Sequence, residues 1–561
     1  MTAPTRSRNE DIKEASRFLR GTIAEGLAKT ATGAIAEDDT QLVKFHGMYQ
    51  QDDRDLRPER LRKKAERAYS FMVRLRVPGG EMTPAQWLAA TRVARERGNQ
   101  TLRLTTRQTI QFHGLLKGNL RPALRALHAE LLDSIAACGD VNRNVIATPH
   151  PAQTASQAAA LDLARRISTH LLPRSRAWHE IWIDGEQVAG AVAEDEPILG
   201  RTYLPRKFKI AIAVPPANDV DVFAHDLGFI AIEENGIPIG YNVVVGGGMG
   251  MTHGEPDTFP RVGDVIGFCT ADEAIAIAEH VLTIQRDWGD RADRKHARLK
   301  YTIERAGLAR FVAELAVRRA RSLAPARAYA FVSNGDRLGW LEGEDGKWHF
   351  GLFVENGRIA DRPGAPLLTA LETVAQRHRG TFILTPNQNL VIAGVTAADR
   401  EDIAAILATA GLTAPGALRR NAMACVALPT CGLALAESER FLPDLVTDLE
   451  SLLSEHGLDD EDITIRMTGC PNGCARPYLA EIGLVGRGPG QYNLYLGGAF
   501  DGSRLNRLFR TDLGRDAIIA TLGPLFAGYA QERSAGERFS DFLIRTDRLA
   551  PPLFEKTPTD G

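Results

Sequence analysis

Four of the six cysteines lie between positions 425 and 474, spaced as Cys425-x5-Cys431, then 38 residues, then Cys470-Pro-Asn-Gly-Cys474. Four thiolates are what a cubane iron–sulfur cluster takes, whereas zinc usually takes its cysteines as C-x2-C or C-x4-C pairs, so this spacing favours iron. A zinc knot and four unrelated buried cysteines are the alternatives. Pro429, Gly432, Gly469, Pro471 and Gly473 flank the four and suit loops whose backbone N–H groups approach sulfur. Cys138 and Cys269 stand alone, and six cysteines in 561 residues make no disulfide framework.

A second set of residues is cationic. Alternation in Phe71-Met-Val-Arg-Leu-Arg-Val77 predicts a strand with Arg74 and Arg76 on one face and Val73, Leu75 and Val77 on the other. Read as one strand, Thr101 to Gly114 sends Arg103, Thr105, Arg107, Thr109, Gln111 and His113 to one side. Lys207-Phe-Lys209-Ile-Ala-Ile-Ala-Val projects two more cations from an otherwise apolar strand. Any one such strand reads best as a solvated outer face; three together suit a polyanionic cofactor and a small oxyanion, both of which need fixed positive charge.

The elements that must carry these groups alternate between strand-like runs and helical periodicity. Leu161, Ala164, Ile167 and Leu171 mark one helix, and Leu445, Leu449 and Leu452, after a Pro443 suited to a first turn, mark another. This is an α/β or α+β pattern. The first 60 or so residues are too mixed for a helix or strand and read as an extended arm. Prolines near Leu323-Ala-Pro-Ala and Leu412-Thr-Ala-Pro-Gly-Ala suggest junctions.

The chain also repeats itself. Thr101 to Gly114 aligns with Thr381 to Gly394 without a gap, five positions being identical at a shift of 280, and Arg143-Asn-Val-Ile-Ala-Thr148 aligns with Arg420-Asn-Ala-Met-Ala-Cys425 at a shift of 277. Two similar halves that share one site follow from this, because the clustered cysteines occur only in the second half and the Arg-rich strands mainly in the first.

Composition narrows the partners. A formal charge of −2, 44% hydrophobic and 25% charged residues describe a soluble globular chain with no bulk attraction to nucleic acid or anionic membrane. No apolar run approaches a membrane span, and the N-terminus lacks the apolar core of a signal peptide, so the expected location is cytoplasmic. Val245-Gly-Gly-Gly-Met-Gly250 and Gly486-Arg-Gly-Pro-Gly490 fit neither G-x-G-x-x-G nor a P-loop. Electrons would therefore come from a partner.

With these motifs in hand the sequence resembles the sirohaem and 4Fe-4S sulfite and nitrite reductase family, and most closely its NADPH-type branch. The resemblance runs over nearly the whole chain, through His46-Gly-Met-Tyr-Gln-Gln-Asp-Asp-Arg54, Leu104 to Gly114, Tyr203-Leu-Pro-Arg-Lys-Phe-Lys209, Gln285-Arg-Asp-Trp-Gly289, Asn421 to Cys425, Arg440-Phe-Leu-Pro443 and Met467 to Cys474. It implies that Cys425, Cys431, Cys470 and Cys474 ligate a 4Fe-4S cluster, with Cys474 also ligating the sirohaem iron. It implies that Arg74, Arg143, Lys207 and Lys209 bind the anion, and that Thr105, Arg107, Gln111, His113 and Asn472 contact the sirohaem.

The implied activity is six-electron reduction of sulfite to sulfide, with an NADPH-dependent flavoprotein as donor in a hetero-oligomer. A ferredoxin-dependent sulfite or nitrite reductase is the alternative, and a non-catalytic Fe–S carrier the reading from another class. Family nitrite reductases tend to carry Asn at the position of Lys209, which favours sulfite. The implied fold is a pseudo-twofold α/β (α+β) architecture in which a ferredoxin-like repeat pair and two larger α/β lobes surround one shared cofactor site. The expected divisions are an arm (1–64), first repeat (65–140), first lobe (141–335), second repeat (336–408) and second lobe (409–561).

Overall fold

The computed structural model describes residues 6–150, 154–174, 181–183, 186–189, 196–412, 414–549 and 551. Residues 1–5 of the expected arm and Thr413 at the second expected junction thus lie outside the described residues. Four five-stranded sheets dominate, and they fall into two matched pairs.

The first pair is antiparallel throughout. One sheet runs Met48–Asp52, Tyr69–Arg74, Ile110–Leu115, Leu102–Leu104, Arg358–Ile359; the other runs Gly339–Glu342, Trp348–Leu352, Leu390–Val395, Thr381–Leu384, Glu81–Met82. The last strand of each comes from the other half of the chain. Arg358 pairs with Arg103 and Ile359 with Leu102, while Glu81 pairs with Ile383 and Met82 with Phe382. These two exchanges are images of one another at the shifts of 277 and 280 seen in the sequence.

Helices Pro84–Arg97 and Leu367–Arg377 pack on each other across this interface. The first starts at a capping box in which Gln86 N–H donates to the Thr83 hydroxyl and Thr83 N–H to the Gln86 side chain, followed by Pro84. Trp87 stacks on Phe382 at 4.7 Å, and Arg95 forks onto Glu372.

The second pair is mixed. Ile146–Ala147, Ile210–Ala213 and Leu227–Glu234 run parallel, followed by antiparallel Ile237–Val245 and Asp264–Thr270. Ala422–Ala424, Ile465–Thr468, Ile482–Gly488, Gln491–Leu496 and Arg507–Leu513 repeat that order and those directions. Helix Ala155–His170 buries the apolar face expected of it, as does Leu442–Ser454, with Leu445 and Leu449 fully buried. One core runs through both antiparallel sheets and the first mixed sheet, and the second mixed sheet has its own.

Two expectations change. The N-terminal segment is no extended arm: it forms helices Arg8–Ala15, Ile23–Ala28 and Asp39–Leu42, buries Leu19, Leu42, Val43 and Phe45 in and between them, and adds Met48–Asp52 as an edge strand of the first sheet. Elements of four to eight residues are too short to show a period. Thr101 to Gly114 is a hairpin rather than one strand, with Arg103 opposite Gln111 and Leu104 opposite Ile110. Its turn forms because the Thr105 hydroxyl accepts from Arg107 N–H and Gln108 takes a left-handed φ of 47°. No helix among the described residues is long and apolar enough to cross a membrane.

Candidate functional site

Parallel pairing brings the cysteines together. Strands Ala422–Ala424 and Ile465–Thr468 lie side by side, so the loops leaving their carboxyl ends, one carrying Cys425 and Cys431 and the other Cys470 and Cys474, emerge at the same edge. Gly469 N–H points at Cys425 Sγ (3.4 Å), and Asn472 Nδ2 at Cys470 Sγ (3.5 Å). Burial pushes the thiols of Cys425 and Cys470 up to about 12 and that of Cys431 to about 11, and each feels the charge of the other cysteines. Three buried thiols that cost this much to ionise without a partner become stable thiolates beside bound cations. Among the described residues no three His, Cys, Asp or Glu side chains converge as a single-ion site does.

The Cys470–Cys474 turn is clamped from the first lobe. Met251 N–H donates to Pro471 O (2.9 Å), and a Cβ at Gly473, where φ is +61°, would stand 2.9 Å from Met249 O. The Lys300 ammonium, fully buried, gathers the carbonyls of Gly248 (3.2 Å), Gly250 (2.7 Å) and Phe259. The Gly-rich run Gly246 to Gly250 is thus the floor under this turn. From the other side the Thr106 hydroxyl donates to Cys474 O at 3.0 Å.

The cations gather around the same place. Arg74 Nη1 reaches Cys138 Sγ (3.4 Å), and its Nε and Nη2 reach the Gln111 side-chain oxygen. Arg143 donates to Gly139 O (2.9 Å) and lies beside Tyr49. Arg107 donates to Asn144 O and Ile210 O and approaches His225 Nδ1 (3.3 Å). Lys207 and Lys209 precede strand Ile210–Ala213 rather than lying in it. Burial, with Arg206 and Arg298 nearby, lowers Lys207 to about 7; burial, with Lys207 and Arg107 nearby, holds Lys209 well below the usual lysine range.

Of the residues singled out in the sequence, Arg76 leaves the group, forking onto Asp133 (2.5 and 3.1 Å). Arg103 is turned to a buried ion cluster with Glu439 and Arg358, and Glu439 N–H is bonded to Cys425 O (3.1 Å). Sequence reasoning missed Tyr49, Glu439, Arg358 and Asp221, which carry no spacing signal. The repeat did hold one further clue. Thr148 aligns with Cys425, and the equivalent strands Ile210–Ala213 and Ile465–Thr468 set Asp219 against Cys474 at a shift of 255. There Thr148 donates to Asp219 (2.9 Å), closing the matching place in the first lobe with a hydrogen bond.

The residues fit a polyanionic macrocycle beside a cluster. Both ring nitrogens of buried His113, Arg107 Nε, Asn142 Oδ1 and Thr468 Oγ1 are polar groups that the described residues leave without a hydrogen bond, a costly state unless a ligand supplies the partner.

Comparison with known proteins agrees. Residues 163–322 match the family described as Nitrite and sulphite reductase 4Fe-4S domain, and residues 62–130 and 341–410 match the Nitrite/Sulfite reductase ferredoxin-like half domain. The chain is 62% identical over 549 residues (97% of this chain, 91% of the relative) to the sulfite reductase [NADPH] hemoprotein beta-component of Methylobacterium sp. (strain 4-46). It is 55% identical over 553 residues (98% of each) to the protein of that description from Myxococcus xanthus (strain DK1622). Among solved structures, that of the Mycobacterium tuberculosis NirA protein is similar over 96% of both chains, with a TM-score of 0.78 and 27% identity. With the duplicated sheets, the converging cysteines and these matches agreeing, the chain belongs to the sirohaem- and 4Fe-4S-dependent nitrite and sulfite reductase family.

Proposed function

We propose that the protein is the haemoprotein component of an assimilatory sulfite reductase, reducing sulfite to sulfide with six electrons. The observation that carries this reading is the meeting of four thiols with a set of cations that have few acids beside them. Cys425, Cys431, Cys470 and Cys474 would hold the 4Fe-4S cluster, and Cys474 would also ligate the sirohaem iron. Thr105, Arg107, Gln111, His113 and Asn472 would hold the sirohaem. When bound, this pair supplies the electrons and the iron at which sulfur is reduced.

The chain's own part is charge and protons. Arg74 and Arg143 stay charged and hold the anion's oxygens. Lys207 and Lys209, whose burial disfavours the ammonium, regain it when the anion arrives and can pass that proton to a departing oxygen through water. Six electrons and their protons turn the three oxygens of sulfite into water. A bare electron carrier has no use for such a pocket.

The donor in this proposal is an NADPH-dependent flavoprotein, in a hetero-oligomer and a cytoplasmic setting. The divisions at 64/65, 140/141, 335/336 and 408/409 belong to the same proposal. Anaerobic turnover with a chemically reduced viologen, comparing kcat/KM for sulfite and nitrite, tests it. Preference for sulfite with sulfide as product supports the assignment; preference for nitrite overturns it.

A further inference from the structure

The loop carrying Cys431 surfaces beside a cationic segment whose residues 59–67 are turned to solvent. Cys431 is half-buried, and Gly432 and Leu433 after it are exposed, Leu433 by 68%. Arg54 grips this loop: its N–H donates to Pro429 O (3.1 Å) and its Nη1 to Ala434 O (2.5 Å), 3.5 Å from Cys431 O. Arg440 adds a second pin to Asp55 (2.8 Å). Helix Arg57–Arg62 follows, and residues 59–67 are all exposed.

From Arg54 to Arg67 there are seven cations and three acids, on a chain whose net charge is −2. Asp55 and Glu59 are already paired, with Arg440 and Lys63, and Arg57 is paired with Asp52 outside the segment, which leaves Arg60, Arg62, Lys64 and Arg67 without an acid partner among the described residues. In the middle stands Leu61, 79% exposed, with Leu56 at 39%. A large apolar side chain held out in water among cations resembles the centre and rim of a small recognition surface. Electron-transfer encounters are the smallest class of specific interface, so one short helix and one loop suffice.

We propose that helix Arg57–Arg62 and the Leu433 loop dock the electron donor, an acidic flavin domain, so that electrons enter on the Cys431 side. This rests on the reductase reading above. At each visit the donor's flavin is oxidised by one electron and the protein's cofactors are reduced by one, six such transfers serving each sulfite. The cations set the encounter rate by attracting the acidic partner, and Leu61 and Leu433 bury on contact.

The test uses the cofactor-loaded full chain and the variants Leu61→Glu and Lys64→Glu, driven either by reduced flavodoxin, a small acidic flavin protein, or by reduced methyl viologen. The expected result is a fall of about tenfold or more in the flavodoxin-driven rate, an unchanged viologen-driven rate, and a salt dependence that flattens in the variants. An unchanged flavodoxin-driven rate overturns the proposal, as does an equal loss with both donors. Loss with reduced ferredoxin but not with flavodoxin overturns the flavin occupant. Failure of the unaltered protein to reduce sulfite with viologen instead removes the underlying reading.

Discussion

Thr106 and Pro386, 280 positions apart, present their carbonyl oxygens to one guanidinium, that of Arg476, at 3.2 and 3.0 Å. They are equivalent positions in the two repeated hairpins, so Arg476 sits where the halves meet. Its Nε is bonded to Asp221, which also takes Arg466 at 2.6 Å. Asp221 is in turn the equivalent of Arg476 in the first lobe, and both residues are left-handed, at φ 48° and 55°. One buried ion cluster thereby ties both hairpins and the first lobe to the residue two beyond Cys474.

Breaking that cluster should cost more than a surface pair would. Asp221 is fully buried, and removing one partner of a buried pair costs about 3–5 kcal/mol. Arg476→Ala is expected to lower the denaturant midpoint and the sirohaem bound per chain, measured by visible absorbance. Arg476→Lys should recover part of the stability while losing the fork to Thr106 and Pro386.

Cys425→Ser and Cys470→Ser should yield protein depleted in cluster iron. Cys269→Ser should not, because Cys269 lies in strand Asp264–Thr270, away from the converging loops. Iron and acid-labile sulfide per chain decide between them, and an iron-replete Cys425→Ser would remove the cluster assignment.

Lys209→Met is expected to lower kcat for sulfite by about 10²-fold or more, the usual worth of a positioned proton donor, with sirohaem content nearly unchanged. Lys209→Asn should shift the kcat/KM ratio towards nitrite. Parallel assays on the two anions give both results.

A pH effect on stability should come from Glu481. Burial raises its carboxyl to about 7, its bonds from Thr464 and Ser540 being too few to offset the loss of water. Its first-lobe equivalent, Asp226, instead receives a fork from Arg298. Between about 4.5 and 7 the native state holds a proton that the unfolded chain has released, so stability falls as pH rises, by at most ~1.4 kcal/mol per unit. Unfolding of Glu481→Gln should lack this slope.

The cysteines were legible because spacing alone limits what four thiols can do. The duplication was legible because two gap-free segments repeat in the same order at nearly equal shifts of 280 and 277, and the two pairs of sheets repeat one strand order each. Thr101 to His113 was misread because side-chain alternation continues across a tight turn, so Arg103 and Gln111 share a face as partners across a hairpin rather than as neighbours along a strand. Lys300 and the Gly246 to Gly250 floor were illegible since their task, holding carbonyls against a turn more than 200 residues later, is set by topology. The N-terminal helices were hidden by their brevity.

The exchange of edge strands governs how the chain must be made. Met82 cannot find Phe382 until three hundred further residues have left the ribosome, an interval of roughly 15–60 s at about 5–20 residues per second. Until then the first half is a nascent domain with an unpaired strand edge, a template for aggregation. Expressed as two separate pieces cut between the halves, the protein should be insoluble alone and recoverable only when both pieces are synthesised together.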